Sequence, residues 1–341
     1  MAKKFNMPAE WKAHQRCWMA WPQDHGDWPI EIEKVRRNFI EIADAIGHFE
    51  PVQIVVDPGE LESARRQLPE AIELVSIELD DCWMRDMGPT MVRDADGGLF
   101  GVDWQYNGWG KFPHQRDKLV AQRLLTELGY PRLASGLVNE GGAIHTDGEG
   151  TLVLTETVLL NVNRNPGLTK AQAEAELQRL LGAEQIIWLP EGLVDDDTDG
   201  HIDEIMCFGA PGEILLLATE DSTDANYPIL QRAREILENT RDISGRSLTI
   251  RTIQQPPAAY LNGTRLSRSY VNCYIANGAI VMPAYGIGDF DQDAQLQVSK
   301  AFPDREVIQL DCSALVTGGG NIHCITQQCP IGEHCKETTH E

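Results

Sequence analysis

The sequence predicts an α/β fold built from a repeated unit, and three observations carry that prediction. Short β-rich runs alternate with amphipathic helical segments along the whole chain, with no low-complexity stretch and no linker. The pattern Gly-Gly-x-Ile-His occurs twice, at Gly141 to His145 and at Gly319 to His323, and Gly200-His201-Ile202-Asp203 is a looser copy. With Asn262-Gly263 as a further landmark, the spacing fits a unit of about 60 to 70 residues, which divides five times into 341. Each unit would hold a few strands and one helix, with its glycine-rich end pointing to a shared axis. The competing explanation is coincidence among short motifs in a chain with 30 glycines. The chain is read as one domain, residues 1–341.

The elements follow in order. Ile32, Val35, Phe39, Ile42 and Ile46 lie at helical spacing and predict an amphipathic helix over a sheet. Runs 52–56 and 74–79 read as strands, and Val120, Leu124 and Leu128 mark a second helix. After a strand at 152–160, a helix starts near Thr169, where Gln172 completes a capping box. A strand at 214–219, a helix from Tyr227-Pro228, strands at 271–276 and 279–282, and a helix near Asp289 complete the series.

Composition narrows the function. The hydrophobic content of 42% supports a sizeable core. With 52 acidic and 29 basic side chains the formal charge is −23, which argues against nucleic-acid or anionic-membrane partners and favours a small cation. The apolar runs are too short to cross a bilayer, and Met1 to Asn6 lead into no signal-peptide core, so a cytoplasmic location is expected. Eight cysteines in a chain this long fall below the density of a disulfide scaffold and read as reduced thiols. Cys324, Cys329 and Cys335 with His323 and His334 invite a zinc reading, but no CxxC pair supports it.

Cys324 carries the strongest functional signal, because it follows Gly318, Gly319 and Gly320 between two apolar runs. Glycines such as Gly320 let backbone approach a ligand closely, and a thiol beside free backbone N–H groups suits a nucleophile. The bland alternative is a buried free cysteine at a strand end. If the glycine-rich ends meet, they unite Asp86, Glu140, His201, Asp203 and Cys324. Two carboxylates, Asp86 and Asp203, can grip a planar guanidinium through its fixed fork of donors. Cys324 can then attack the central carbon, and His201 can protonate the departing nitrogen and later deprotonate water, with Glu140 orienting the imidazole. No metal and no organic cofactor is required. Taken singly, Asp86 could pair with Arg85, Glu140 and Asp195 to Asp197 could be solvated, and His201 could be satisfied by a backbone carbonyl, with Asp203 on its face of a strand.

Longer motifs point to a family. Residues 7–11 with 18–22, 83–90 (Trp-Met-Arg-Asp-Met-Gly-Pro-Thr), 140–145 followed by 147–151, 161–166, 198–203 and 318–326 occur in a characteristic order. On these segments the chain resembles the agmatine deiminases, a branch of the guanidino-group-modifying superfamily that also includes the bacterial peptidylarginine deiminases. The resemblance implies a five-bladed pseudosymmetric ββαβ propeller, and hydrolysis of agmatine to N-carbamoylputrescine and ammonia. It further implies that Cys324 is the nucleophile, His201 the acid and base, Glu140 its partner, Asp86 and Asp203 the guanidinium clamps, Trp83 a pocket wall, and Asp196 or Asp197 the site of the distal amine. Two positions depart from the family pattern: Glu204 stands where many members carry Asn, and Cys329 where Gln is common.

Three rival functions remain: a deiminase for arginine or peptidyl-arginine, a thiol hydrolase of amides or an amidinotransferase, and a non-catalytic polyamine-binding propeller. The acidic 195–197 loop favours agmatine over substrates bearing a carboxylate. Carboxylates around Cys324 should raise its pKa, so its proton is expected to leave only when the cationic substrate arrives. A monomer and a homodimer both stay open.

Overall fold

A computed structural model describes residues 4–24 and 28–334. Five of its sheets share one plan: an antiparallel pair of strands, a helix, and a strand returning parallel to the second member of the pair. The second unit is Thr90–Asp94, Gly98–Asp103, helix Val120–Leu128 and Arg132–Ala134. The third is Ile144–Thr146, Thr151–Thr155, helix Lys170–Leu181 and Gln185–Leu189. The fourth is Met206–Ala210, Glu213–Ala218, helix Tyr227–Glu238 and Thr249–Gln254. The fifth is Tyr274–Ala276, Ala279–Ala284, helix Gly288–Ala301 and Glu306–Asp311. The first unit draws on both ends of the chain: Gln327–Pro330 pairs antiparallel with His14–Ala20, followed by helix Ile32–Gly47 and the parallel strand Val52–Val56, with Glu73–Ser76 beyond it.

Local chemistry accounts for the helices. Ile32, Val35, Phe39, Ile42 and Ile46 are buried on one face of the first helix, as their spacing predicted. Thr169 accepts from the Gln172 backbone while the Gln172 side chain reaches back to the Thr169 N–H, a capping box of the kind worth about 1 kcal/mol. Pro228 sits in the first turn of helix Tyr227–Glu238, where its missing donor is not needed.

Several boundaries differ from the sequence reading. The run expected as strand 152–160 ends at Thr155 and turns into the short helix Glu156–Leu159, since a hydrophobic run alone does not separate strand from buried helix. Strand 74–79 shortens to Glu73–Ser76. Strand 271–276 begins only at Tyr274, leaving Asn272 in a turn. Asn262 and Gly263 have left-handed φ of 52° and 87° at the tip of the hairpin Tyr260–Leu261/Thr264–Arg265, so they mark a turn and not a repeat end. No helix among the described residues is long and apolar enough to cross a membrane.

Candidate active site

Each unit is entered through a short turn, and these five turns carry the candidate side chains. Asp86 lies in helix Met84–Met87 before the second unit, and Glu140 adjoins the turn Gly141–Ala143 before the third. His201, Asp203 and Glu204 belong to the turn leading into the fourth, Asn272 to that before the fifth, and Cys324 to that before Gln327. Hydrogen bonds tie the turns together: the Arg85 N–H donates to the Cys324 carbonyl at 3.0 Å, and the Gly142 N–H donates to Asp86 Oδ1 at 3.0 Å. Asn272 Nδ2 donates to the Asp203 carbonyl at 3.3 Å.

The expected residues are together. His201, 1% exposed, places Nε2 3.4 Å from Glu140 Oε2 and Nδ1 3.8 Å from Asp86 Oδ1 and 4.0 Å from Asp203 Oδ1. His201 precedes a 3-10 turn, so the expected shared strand face with Asp203 is replaced by a tighter bend that brings both toward one point. Cys324 Sγ lies 3.8 Å from Asp203 Oδ2, in a turn and not at a strand end. Arg85 does not pair with Asp86: its guanidinium donates to Gln328 Oε1 at 2.8 Å and to Glu10 Oε1 at 3.4 Å, leaving Asp86 to accept from Trp109 Nε1 at 3.0 Å. Asp203 Oδ1 is buried without a hydrogen-bond partner, a vacancy a cationic donor would fill.

The space between these groups exists because Gly142 has no side chain. A Cβ there would lie 2.6 Å from His201 Nδ1 and 2.9 Å from Asp203 Oδ2 and Asp86 Oδ1. Gly320 serves the same purpose next to the sulfur, since a Cβ would meet Trp83 Cζ3 at 2.4 Å and Cys324 Cβ at 3.1 Å. Trp83 is a wall of the cavity, with Nε1 donating to Asp81 Oδ2 at 3.0 Å.

That cavity has a volume of about 750 Å³ and ends at Asp86 and Cys324. Trp28, Trp109 and Phe112 add aromatic surface, and Asp80, Asp81, Asp195 and Asp197 add carboxylates. The two cations among its described lining residues are already engaged: Arg265 with Asp224 at 2.8 Å, and Arg116 with Asp57 at 3.5 Å and Asp80 at 3.7 Å. Asp196 takes a different position from Asp197. It faces inward and accepts from Thr198 N at 2.8 Å, Thr198 Oγ1 at 2.7 Å and His201 N at 3.1 Å, shaping the His201 turn, whereas Asp197 lines the cavity.

The electrostatics suit a cationic guest. Burial, followed by Asp203, Glu204 and Asp86, pushes the Cys324 thiol well above its ordinary range. Burial disfavours the His201 cation, yet Asp86, Glu140 and Asp203 together outweigh it and hold the imidazole at about 9. Burial lifts Asp86 to about 6. Glu140 is fixed from behind by Arg164, whose Nε donates at 2.7 Å, and it is held below the usual carboxylate range despite its burial.

Sequence reasoning missed several participants. Arg164 also donates to the Trp109 carbonyl at 2.5 Å and Asp199 Oδ2 at 2.8 Å, holding Trp109 at a left-handed φ of 53°. Asn272 reaches Cys324 Sγ with Nδ2 at 3.3 Å. His323 bridges Asp203 Oδ2 at 2.8 Å and Glu10 Oε1 at 3.0 Å, and these carboxylates overcome its burial to hold it at about 9. Glu10, His145 and His323 bring ligand-type atoms within 4.8 Å of one another, with both His323 nitrogens occupied by Asp203 and Glu10. Cys335 lies outside the described residues, and the seven described cysteines are free and buried, Cys329 among them with Sγ 3.7 Å from the Tyr130 hydroxyl. Asn272 sits in a run with no spacing signal; Arg164 lies in the 161–166 motif, and Gly142 in the recurring Gly-Gly motif.

The family model of the Porphyromonas-type peptidyl-arginine deiminases matches residues 6–330. A Legionella pneumophila relative named "Putative agmatine deiminase" is 46% identical over 330 residues, covering 96% of this chain and 95% of its own. Among solved structures, the agmatine deiminase of Enterococcus faecalis superposes with a TM-score of 0.91 at 35% identity, covering 96% of each chain. A cysteine-to-serine variant of the C. jejuni agmatine deiminase with substrate bound superposes with a TM-score of 0.89 at 27% identity, covering 97% of each.

Proposed function

The chain belongs to the Porphyromonas-type peptidyl-arginine deiminase family, and from that membership we infer that it is an agmatine deiminase, a hydrolase acting on the C–N bond of a linear amidine. One observation carries the reading: Asp86 and Asp203, with an unpartnered oxygen on Asp203, face His201 Nδ1 and Cys324 across the space left by Gly142, at the end of a cavity whose own cations are already paired. We take the five like units to form a single-domain, pseudosymmetric five-bladed propeller whose entry turns meet at this point; the shared strand order supports that arrangement. A cytoplasmic location suits a small intracellular substrate, and pairing of two copies through a blade face is compatible with the fold.

The guanidinium of agmatine lies between Asp86 and Asp203, and its distal ammonium reaches toward Asp195 and Asp197. Cys324 Sγ attacks the central carbon to give a tetrahedral adduct. His201, with Nε2–H directed at Glu140, donates its Nδ1 proton to the departing nitrogen, and ammonia leaves. The covalent amidino-thioether remains. His201 Nδ1 then takes a proton from water, hydroxide adds to the same carbon, and cleavage of the C–S bond, with loss of the added hydroxyl's proton to solvent, releases N-carbamoylputrescine.

An arginine or peptidyl-arginine substrate would bring a carboxylate or backbone into a cavity lined by Asp80, Asp81, Asp195 and Asp197, with Arg116 and Arg265 already committed, which disfavours it. The test measures ammonia and ureido product from agmatine, L-arginine, dimethylarginine and a blocked arginyl peptide. Agmatine is expected to be clearly the best substrate and Cys324→Ala to be inactive. A better rival substrate refutes the specificity, and a mass adduct on any other cysteine refutes the nucleophile.

A further inference from the structure

The resting thiol must lose its proton before the sulfur attacks, and the groups used so far do not take it: His201 enters as an acid, while Asp86 and Asp203 hold the substrate. One buried carboxylate next to the sulfur is left over. Glu204 is 3% exposed, its Oε1 lies 3.8 Å from Cys324 Sγ, and its Oε2 has no hydrogen-bond partner. The side chain is held in place, since Asn321 Nδ2 donates to Oε1 at 3.3 Å. Asn321 is itself fixed, donating to the Ser267 carbonyl at 2.6 Å and accepting from the Tyr285 hydroxyl at 2.8 Å. Across the sulfur stands Asn272. Its Oδ1 accepts the His323 N–H at 3.0 Å, so its Nδ2, 3.3 Å from Sγ, is turned to donate to the sulfur.

We propose that Glu204 is a catalytic residue that shares one proton with Cys324 and takes it over when the guanidinium enters, while Asn272 donates a hydrogen bond to the resulting thiolate. This rests on the deiminase reading above. The S–H bond breaks, its proton passes to a Glu204 oxygen, and the electron pair left on sulfur forms the C–S bond. The proton that leaves with ammonia comes separately, from His201. When the C–S bond breaks at the end of the cycle, the Glu204 proton returns to sulfur, so the pair neither gains nor loses a proton over a turnover.

The surroundings favour one shared proton. Burial, then Asp203 and Asp196, raises the Glu204 carboxyl well above its usual range, while burial, then Asp203, Glu204 and Asp86, raises the thiol. Asn321 donates to Glu204 and the Asn272 amide to the sulfur, and the entering substrate adds its positive charge to this pair.

The experiment compares wild type with Glu204→Gln, which keeps the side chain's size and removes the proton acceptor, by following kcat and KM for agmatine from pH 6 to 9. Wild type is expected to be nearly flat through neutrality. The variant should lose about 100-fold in kcat at pH 7 with KM changed less than about threefold, and recover about tenfold per pH unit as solvent takes the proton instead. Glu204→Asp should restore part of the flat profile. An equal loss at every pH makes Glu204 structural, and unchanged or higher activity at pH 7 makes it merely a charge repelling the thiolate; either overturns the proposal. A measurement on wild type alone serves if the variants do not fold: mixing with agmatine in weak buffer with a pH indicator should release no proton before ammonia appears, and release of one proton per site overturns it. A wild type inactive on every guanidinium compound overturns the deiminase reading as well, which separates the two failures.

Discussion

A Cβ on Gly142 would fall 2.6 Å from His201 Nδ1 and 2.9 Å from Asp203 Oδ2 and Asp86 Oδ1. Ordinary contact begins near 3.4 Å, so Gly142→Ala forces the imidazole back by about 0.8 Å and the carboxylates by about 0.5 Å, unless the backbone yields. Displacements approaching 1 Å at a reacting group lower rates about 100-fold, equivalent to about 2.7 kcal/mol of barrier. Overpacking a filled site also lowers stability by about 1–3 kcal/mol. The assay is kcat and KM for agmatine beside a thermal melt, with Gly136→Ala as control, because a Cβ there meets nothing within 4 Å. The expected result is a loss of about 100-fold concentrated in kcat for Gly142→Ala, and none for the control. If Gly142→Ala turns over within about threefold of wild type, the three groups do not converge on the substrate as argued.

Three further outcomes follow from the same geometry. Asp197→Asn should raise KM for agmatine about tenfold with little change in kcat, while Asp196→Asn, which loosens the His201 turn, should act on kcat; steady-state kinetics with the reverse pattern would exchange their roles. Arg164→Met removes the nearer counter-charge of the buried Glu140 and leaves it with His201, which should cost about 3–5 kcal/mol in denaturant unfolding, with a fall in kcat as Glu140 loses the contact that fixes it. His201 and His323 are both held at about 9, above the ordinary 6.5, so the stability they contribute is fully present below pH 6.5 and is lost as pH rises through 9. Thermal midpoints should fall across that alkaline window, and the fall should shrink in His323→Gln.

The residues to which the proposed chemistry is assigned were legible in the chain because they sit in short motifs whose spacing survives as text. Asp86, Glu140, His201, Asp203 and Cys324 each lie within or beside a glycine-marked turn, and the turn recurs once per unit. Helices with a long apolar period were legible for a similar reason, as in Ile32–Gly47. The fourth repeat landmark was misplaced, at Asn262-Gly263, because a hairpin tip and a functional turn share the same glycine chemistry; the residue that reaches the site is Asn272.

Local pattern thus specified the element types, the acidic bias toward a cationic substrate and the five principal groups of the site. Which way each side chain faces depended on partners far away in the chain, and only packing chose among them. Asp86 turned from its neighbour Arg85 to Trp109 because Glu10 and Gln328 claimed the guanidinium. Asp196 and Asp197, adjacent in sequence, parted to a turn and a cavity wall. Gly142 came to face His201, Asp203 and Asp86, and Glu204 came to lie beside Cys324, because turns from different units close on one small volume. Distances of that kind arise from long-range contacts, which no window of sequence contains.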